Sequence, residues 1–213
     1  MDDLRARLSH VLWIGGGPCV GKTTLSRLLA GTYDLKIYNA DWHHVRGHRG
    51  RPGGVPPGWN ELSMDERWVK PSPLALAERE IRNWTARFPL VVEDLLALPS
   101  TRPIVAEGPS LFPWCVAAVI GSPRQAVFLV PSPDFRAAVL ARRGGGSATL
   151  TTDPDRASRN IAERDAILAS RIVAANDELG LRHLSVSGSL AVSESAALLE
   201  AHFAPHLPSD YNV

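Results

Sequence analysis

One stretch of the chain combines residue types and spacing that can do chemistry without further context. Between Gly15 and Thr24 the sequence reads GGGPCVGKTT, and Gly16 to Thr23 satisfy the spacing G-x-x-x-x-G-K-[ST]. A glycine-rich turn can aim successive backbone N–H groups inward, and a helix beginning at its end adds unpaired N–H groups and a positive dipole end. The result is an anion cradle. Here Gly16, Gly17, Pro18, Cys19, Val20, Gly21 and Thr24 are expected to wrap a polyphosphate, with Lys22 reaching its β and γ phosphates and the Thr23 hydroxyl holding Mg²⁺. The expected ligand is a nucleoside triphosphate, and the motif alone leaves the reaction open.

Other reactive side chains fall where an open α/β sheet places its ligands, beyond the carboxyl ends of the strands. Asp41 closes an expected second strand, Leu35–Asp41, beside the phosphate loop if strands one and two pair as neighbours. A carboxylate there can accept the proton of an acceptor hydroxyl. Trp42, His43 and His44 follow it as expected substrate contacts, the histidines also as rival bases. No Cys or third ligand stands at metal-site spacing from this histidine pair, so chelation by it is not expected.

Glu107 closes a later strand and is favoured over Asp94 as the carboxylate that organises the Mg²⁺ shell. Gly108-Pro109 breaks the apolar pattern after Glu107, whereas Leu95-Leu96-Ala97-Leu98 continues it after Asp94. Arg142 and Arg143 precede a Gly144-Gly145-Gly146-Ser147 hinge, and Arg156, Arg159 and Arg164 follow it. Guanidinium groups on a hinged lid suit the charge of a transferring phosphoryl group and exclude water. Arg142 and Arg159 are assigned to that charge, and Arg143 to the nucleotide.

Several elements must position these groups. Val11-Leu12-Trp13-Ile14 reads as the strand entering the phosphate loop, and Thr24–Ala30 as the helix leaving it. Arg102–Pro109, Gln125–Pro131 and Leu181–Gly188 read as further strands. Pro73–Phe88, Asp155–Leu179 and Leu190–Phe203 carry helical spacing, and Gly180 is a helix stop. Leu90–Pro99 is ambiguous between strand and helix, with helix favoured. The Gly, Pro and Arg residues from Arg46 to Pro57 form a loop, and Trp42, Trp59, Trp68 and Trp84 gather in the same third of the chain as a potential aromatic wall. Strands alternating with helices imply α/β architecture with a parallel sheet covered on both faces.

The 213 residues suit a single domain, with a substrate-binding insertion over about 42–100 and a lid over about 142–160. With 23 basic and 22 acidic side chains, the charge balance gives no sign of a nucleic-acid or membrane surface. The short run Arg46–Arg51 reads better as a solvated or substrate-facing loop than as a nucleic-acid patch. Cys19 and Cys115 are expected as free thiols, and the polar start of the chain and lack of a spanning apolar run point to the cytoplasm.

Taken together, Gly16–Thr23, Asp41, the Ile104-Val105-Ala106-Glu107-Gly108 segment and the arginine-flanked lid resemble the small P-loop kinases. That group includes nucleoside monophosphate, shikimate and gluconate kinases, and antibiotic phosphotransferases such as chloramphenicol phosphotransferase. The resemblance implies a P-loop NTPase three-layer sandwich around a mainly parallel five-stranded sheet, with ATP and Mg²⁺ as cofactors. It also implies a hydroxylated small-molecule acceptor facing Asp41, and adenine beside Ser187, Gly188 and Ser189. Asp41 is followed by Trp42-His43-His44 rather than completing an Asp-x-Asp, and no Asp-Gly-x-Pro-Arg segment occurs. These departures argue against shikimate and nucleoside monophosphates, leaving nucleosides and antibiotics among the acceptors to consider. The absence of an Asn-Lys-x-Asp stretch argues against a GTP-dependent switch, the rival reading alongside a polynucleotide kinase.

Overall fold

Five strands form one sheet in the order β2-β3-β1-β4-β5, and every pairing is parallel. A computed structural model describes residues 2–143 and 146–208. The chain runs α1 (Asp2–Arg7), β1 (Val11–Gly16), α2 (Lys22–Tyr33), β2 (Lys36–Asn39), α3 (Ala40–Trp42) and a π-helical turn (His43–Gly47). It continues through α4 (Met64–Trp68), α5 (Pro73–Ala97), β3 (Ile104–Glu107), α6 (Pro113–Val116), β4 (Ala126–Pro131), α7 (Pro133–Arg142), α8 (Pro154–Leu179), β5 (Arg182–Val186) and α9 (Val192–Phe203).

Strand periodicity divides the core into two faces. Val11, Trp13, Ile104, Ala106, Ala126 and Phe128 pack with Phe88, Val91, Leu95, Val116 and Ile172 from α5, α6 and α8. Their alternates Leu12, Ile14, Val105, Val127 and Leu129 pack with Leu25, Leu29, Leu199 and Phe203 from α2 and α9. Two apolar faces require two helical layers, so the fold is the three-layer α/β sandwich expected from the sequence.

Three local details differ from the sequence reading. The segment 90–97 does not stand alone but completes α5, which runs for 25 residues with Pro89 inside it. Pro89 removes one helical hydrogen bond, and the buried stripe of Phe88, Val91 and Leu95 carries the helix past that loss. β2 stops at Asn39, so Asp41 lies on α3, and the Asn39 side chain caps this turn by accepting from the Trp42 N–H at 2.7 Å. β3 also lies between β1 and β2, so the phosphate loop and Asp41 are not on adjacent strands.

Register nonetheless brings the functional ends together. Glu107 of β3 pairs with Ile14 on one side and Asn39 on the other. Three strand ends therefore open at one level. Of the glycine hinge, residues 144 and 145 lie outside the described residues, and Gly146 opens a 3₁₀ turn to Leu150. That turn is docked: Ala148 packs with Val69 and Ala157, and Asp65 of α4 accepts from the Thr152 N–H at 2.8 Å.

Candidate active site

Gly16 bends the chain away from β1 with φ +107°, and a Cβ on it would stand 2.0 Å from the Leu129 carbonyl oxygen. Only glycine fits. The loop is tied to β4 by the Gly17 N–H donating to Leu129 O at 2.8 Å, and Cys19 takes a left-handed conformation with φ 64°. Gly21 precedes α2, whose first two residues are Lys22 and Thr23. The loop therefore ends at the helix N-terminus, where unpaired N–H groups and the dipole favour an anion.

Lys22 is buried, and its ammonium donates to the carbonyls of Gly17 at 2.6 Å and Gly16 at 3.4 Å. Desolvation lowers its pKa to about 8, against the attraction of Asp41, Glu107 and Cys19, while Arg143 lowers it further. Thr23 Oγ1 donates to Glu107 Oε1 at 2.9 Å, and Asn39 Nδ2 donates to the same oxygen. Glu107 is buried, with Oε2 free of hydrogen bonds among the described residues. A hydroxyl and an anchored carboxylate with one open oxygen form a hard donor set that fits Mg²⁺.

Asp41 is exposed on α3, although protein atoms crowd its carboxyl. Desolvation raises its carboxyl to about 6; Lys22 opposes this shift, while Glu107 and Glu80 add to it. The carboxylate therefore feels both Lys22 of the phosphate loop and Glu80 of α5. The segment 44–87, with Ser147, lines a cavity of ≈ 860 Å³ whose walls include His44, Trp59, Trp68, Glu80, Trp84 and Arg87. Trp84 Nε1 donates to Glu80, and Arg87 lies 5.1 Å from the Trp84 ring centre.

The remaining sequence-selected residues divide. Arg143 donates from Nη1 toward Cys19 Sγ at 3.8 Å, so it reaches the phosphate loop. Arg142, Arg156 and Arg159 are exposed and make no side-chain hydrogen bond or ion pair among the described residues. Arg164 is engaged elsewhere: it binds Asp165, reaches Glu80 at 3.7 Å and lies over the Trp68 ring. Ser187, Gly188 and Ser189 line a second cavity of ≈ 210 Å³ with Val20, Leu25 and Leu129. Trp42 is exposed, and His43 stacks on Tyr38 at 4.1 Å between ring centres. His44 is buried, bonds Ser110 Oγ at 3.1 Å, and is lowered to a pKa of about 3 by burial and the nearby Arg87.

No family model matches this sequence, and no curated protein matches it. Solved structures do. A gluconokinase from Sinorhizobium meliloti 1021 aligns over 93% of this chain and 94% of its own at 17% identity, with TM-score 0.46. Shikimate kinase from Acinetobacter baumannii, in complex with shikimate, aligns over 93% and 95% at 11% identity, with TM-score 0.47. Deoxyadenosine kinase from M. mycoides, with bound dATP, aligns over 91% of this chain and 99% of its own at 13% identity, with TM-score 0.51. The last of these carries the fold assignment. This chain has the P-loop kinase fold.

Within that fold, Asn39 is the residue the sequence reading missed. It fixes Glu107 and caps the turn bearing Asp41, thereby joining two candidate groups. Its signal was a helix-capping residue two positions before the acid. Asp94, the rival to Glu107, points elsewhere: it receives Tyr38 Oη at 2.7 Å and His48 Nε2 at 2.7 Å and pairs with Arg51.

Proposed function

We propose that this protein is an ATP- and Mg²⁺-dependent phosphotransferase that transfers the γ-phosphoryl group to a hydroxyl of a small molecule. The observation that carries the reading is the link from the phosphate loop to Asp41: Glu107 accepts from Thr23 and from Asn39, and Asn39 caps the turn bearing Asp41. A carboxylate so placed accepts the proton as the acceptor oxygen bonds to phosphorus and the bond to the departing ADP oxygen breaks. The dATP-bound deoxyadenosine kinase of similar fold supports nucleotide on the phosphate loop.

In this reading Lys22 and Arg143 stabilise phosphate charge, with Arg142 and Arg159 available from the lid over 142–160. Thr23 and Glu107 hold Mg²⁺, which supplies neutralisation of phosphate charge when bound. Ser187, Gly188 and Ser189 border the base. The cavity walled by Trp59, Trp68 and Trp84 receives the acceptor, and aromatic faces suit a planar or sugar ring. Nearby His44 lines the pocket as a neutral imidazole. Catalysis comes chiefly from positioning and electrostatics.

The test is product mass. Protein is incubated with ATP, Mg²⁺ and a panel of hydroxylated metabolites, nucleosides and antibiotics. One phosphoryl group added to one acceptor class, and lost with Lys22→Met, supports the reading. Release of γ phosphate to water alone would establish a nucleotide-hydrolysing switch instead, and absence of ATP turnover across the panel would remove the enzyme reading.

A further inference from the structure

Away from the phosphate loop, His43, His48 and Asp94 bring three ligand atoms within 4.8 Å of one another. We propose that these residues form a zinc site that fastens the segment after Asp41 to α5. Two imidazoles and one carboxylate are a zinc donor set, with a fourth position left for water.

The π-helical turn creates the site. In an α-helix residues five apart diverge by about 140° around the axis. Here the His48 N–H donates to His43 O at 2.7 Å, the wider i to i+5 bond, and both rings face Asp94. Single π turns are rare and recur at functional sites. His43 Nδ1 lies 3.4 Å from Asp94 Oδ2, close to the about 3.3 Å between ligands on tetrahedral zinc. His48 Nε2 stands at 2.7 Å from the same oxygen and needs to draw back by about half an ångström to reach that spacing.

Supporting contacts also match a metal centre. His48 is buried, and its Nδ1 lies 3.2 Å from His44 Nδ1, whose Nε2 reaches the Ser110 hydroxyl at 3.1 Å. With His44 Nδ1 accepting from His48 Nδ1 and its Nε2 donating to Ser110, this relay holds a proton on His48 Nδ1 and leaves the Nε2 lone pair for metal. Tyr38 donates to Asp94 and stacks on His43, orienting two ligands at once. Arg51 occupies the opposite carboxylate oxygen, Oδ1, and also pairs with Glu93. The His43 side chain is 30% exposed, which leaves a path for the ion.

The test uses the full chain, stripped with EDTA, reloaded with Zn²⁺ and gel-filtered before metal analysis. One zinc per chain, a raised Tm and a strong visible spectrum after Co²⁺ substitution are expected. His43→Ala and His48→Ala should each weaken zinc binding beyond the roughly 10- to 100-fold of an outer-shell change. Glu107→Gln, at the separate Mg²⁺ donor set, keeps an oxygen for Asn39 and should retain full zinc. Less than a tenth of an equivalent bound, zinc lost in Glu107→Gln, or undiminished binding in both histidine variants would overturn the proposal. If the histidine variants fail to fold, the cobalt spectrum of the unsubstituted protein decides: tetrahedral absorption supports the site, and a weak octahedral spectrum overturns it.

Discussion

Thr23 Oγ1 donates a 2.9 Å hydrogen bond to Glu107 Oε1 across 84 positions of chain, linking the start of α2 to the end of β3. If these groups hold Mg²⁺, Glu107→Gln keeps the shape and an oxygen for Thr23 but removes the charge that attracts the ion. Turnover at saturating ATP should fall by about 10²- to 10³-fold at low Mg²⁺ and recover partly as Mg²⁺ rises. A Mg²⁺ titration of the initial rate measures it; an unchanged metal requirement would remove Glu107 from the metal shell.

In the proposed reaction, two groups shifted toward each other should set the pH profile. Asp41, raised to about 6, must be ionised to accept a proton, so kcat/KM should climb with pH through about 6. Lys22, lowered to about 8, must be protonated to meet phosphate, so kcat/KM should fall through about 8. The expected curve is a bell between these limbs. Bound triphosphate favours the ammonium form, so the alkaline limb should move upward in kcat. Asp41→Asn should erase the acid limb and reduce the rate by roughly 10²- to 10⁴-fold. Rates measured across both limbs check this, and a flat profile would contradict it.

If the large cavity receives the acceptor, Trp84 should separate acceptor from donor binding. Its ring lines the large cavity beneath Arg87, whose Nη2 donates to His44 O at 2.8 Å. Trp84→Ala should raise the acceptor KM by roughly tenfold while leaving the ATP KM nearly unchanged, and Trp84→Phe should restore most of the loss. An equal rise in both constants would instead indicate general disruption of the insertion.

The shape of the phosphate loop was legible because its physics is local. Gly16, Gly21, Lys22 and Thr23 are fixed by contiguous spacing, and the apolar runs Val11–Ile14 and Ile104–Ala106 announce buried parallel strands. Glu107 was separable from Asp94 because Gly108-Pro109 ends its strand, whereas Leu95-Leu96 extends the apolar pattern past Asp94. Residues meeting across long separations were not legible: Asn39 reaches Glu107 over 68 positions and His48 reaches Asp94 over 46. The π turn His43–Gly47 was hidden as well, because the wider hydrogen bond leaves no periodic signature over so few residues. Arg164 looked like a lid arginine only because sequence does not show Asp165 and Glu80 closing around it.

Asp165 provides a stability test outside the proposed chemistry. It lies buried on α8, accepting from Arg136 Nε at 2.6 Å and from Arg164 Nε at 2.7 Å. Arg136 is itself buried on α7, the helix that ends at Arg142. This pair therefore ties α7 to α8. Asp165→Ala strands the Arg136 charge without a counter-ion and should cost about 3–5 kcal/mol, whereas Arg164 retains Glu80. In a chain of this length that corresponds to roughly 10 °C or more in Tm. Arg136→Met combined with Asp165→Leu removes both buried charges and should recover much of the loss, because the desolvation penalty disappears with the pair. Thermal unfolding of the single and double variants separates these effects: equal Tm losses would mean packing, not charge, holds α7 against α8.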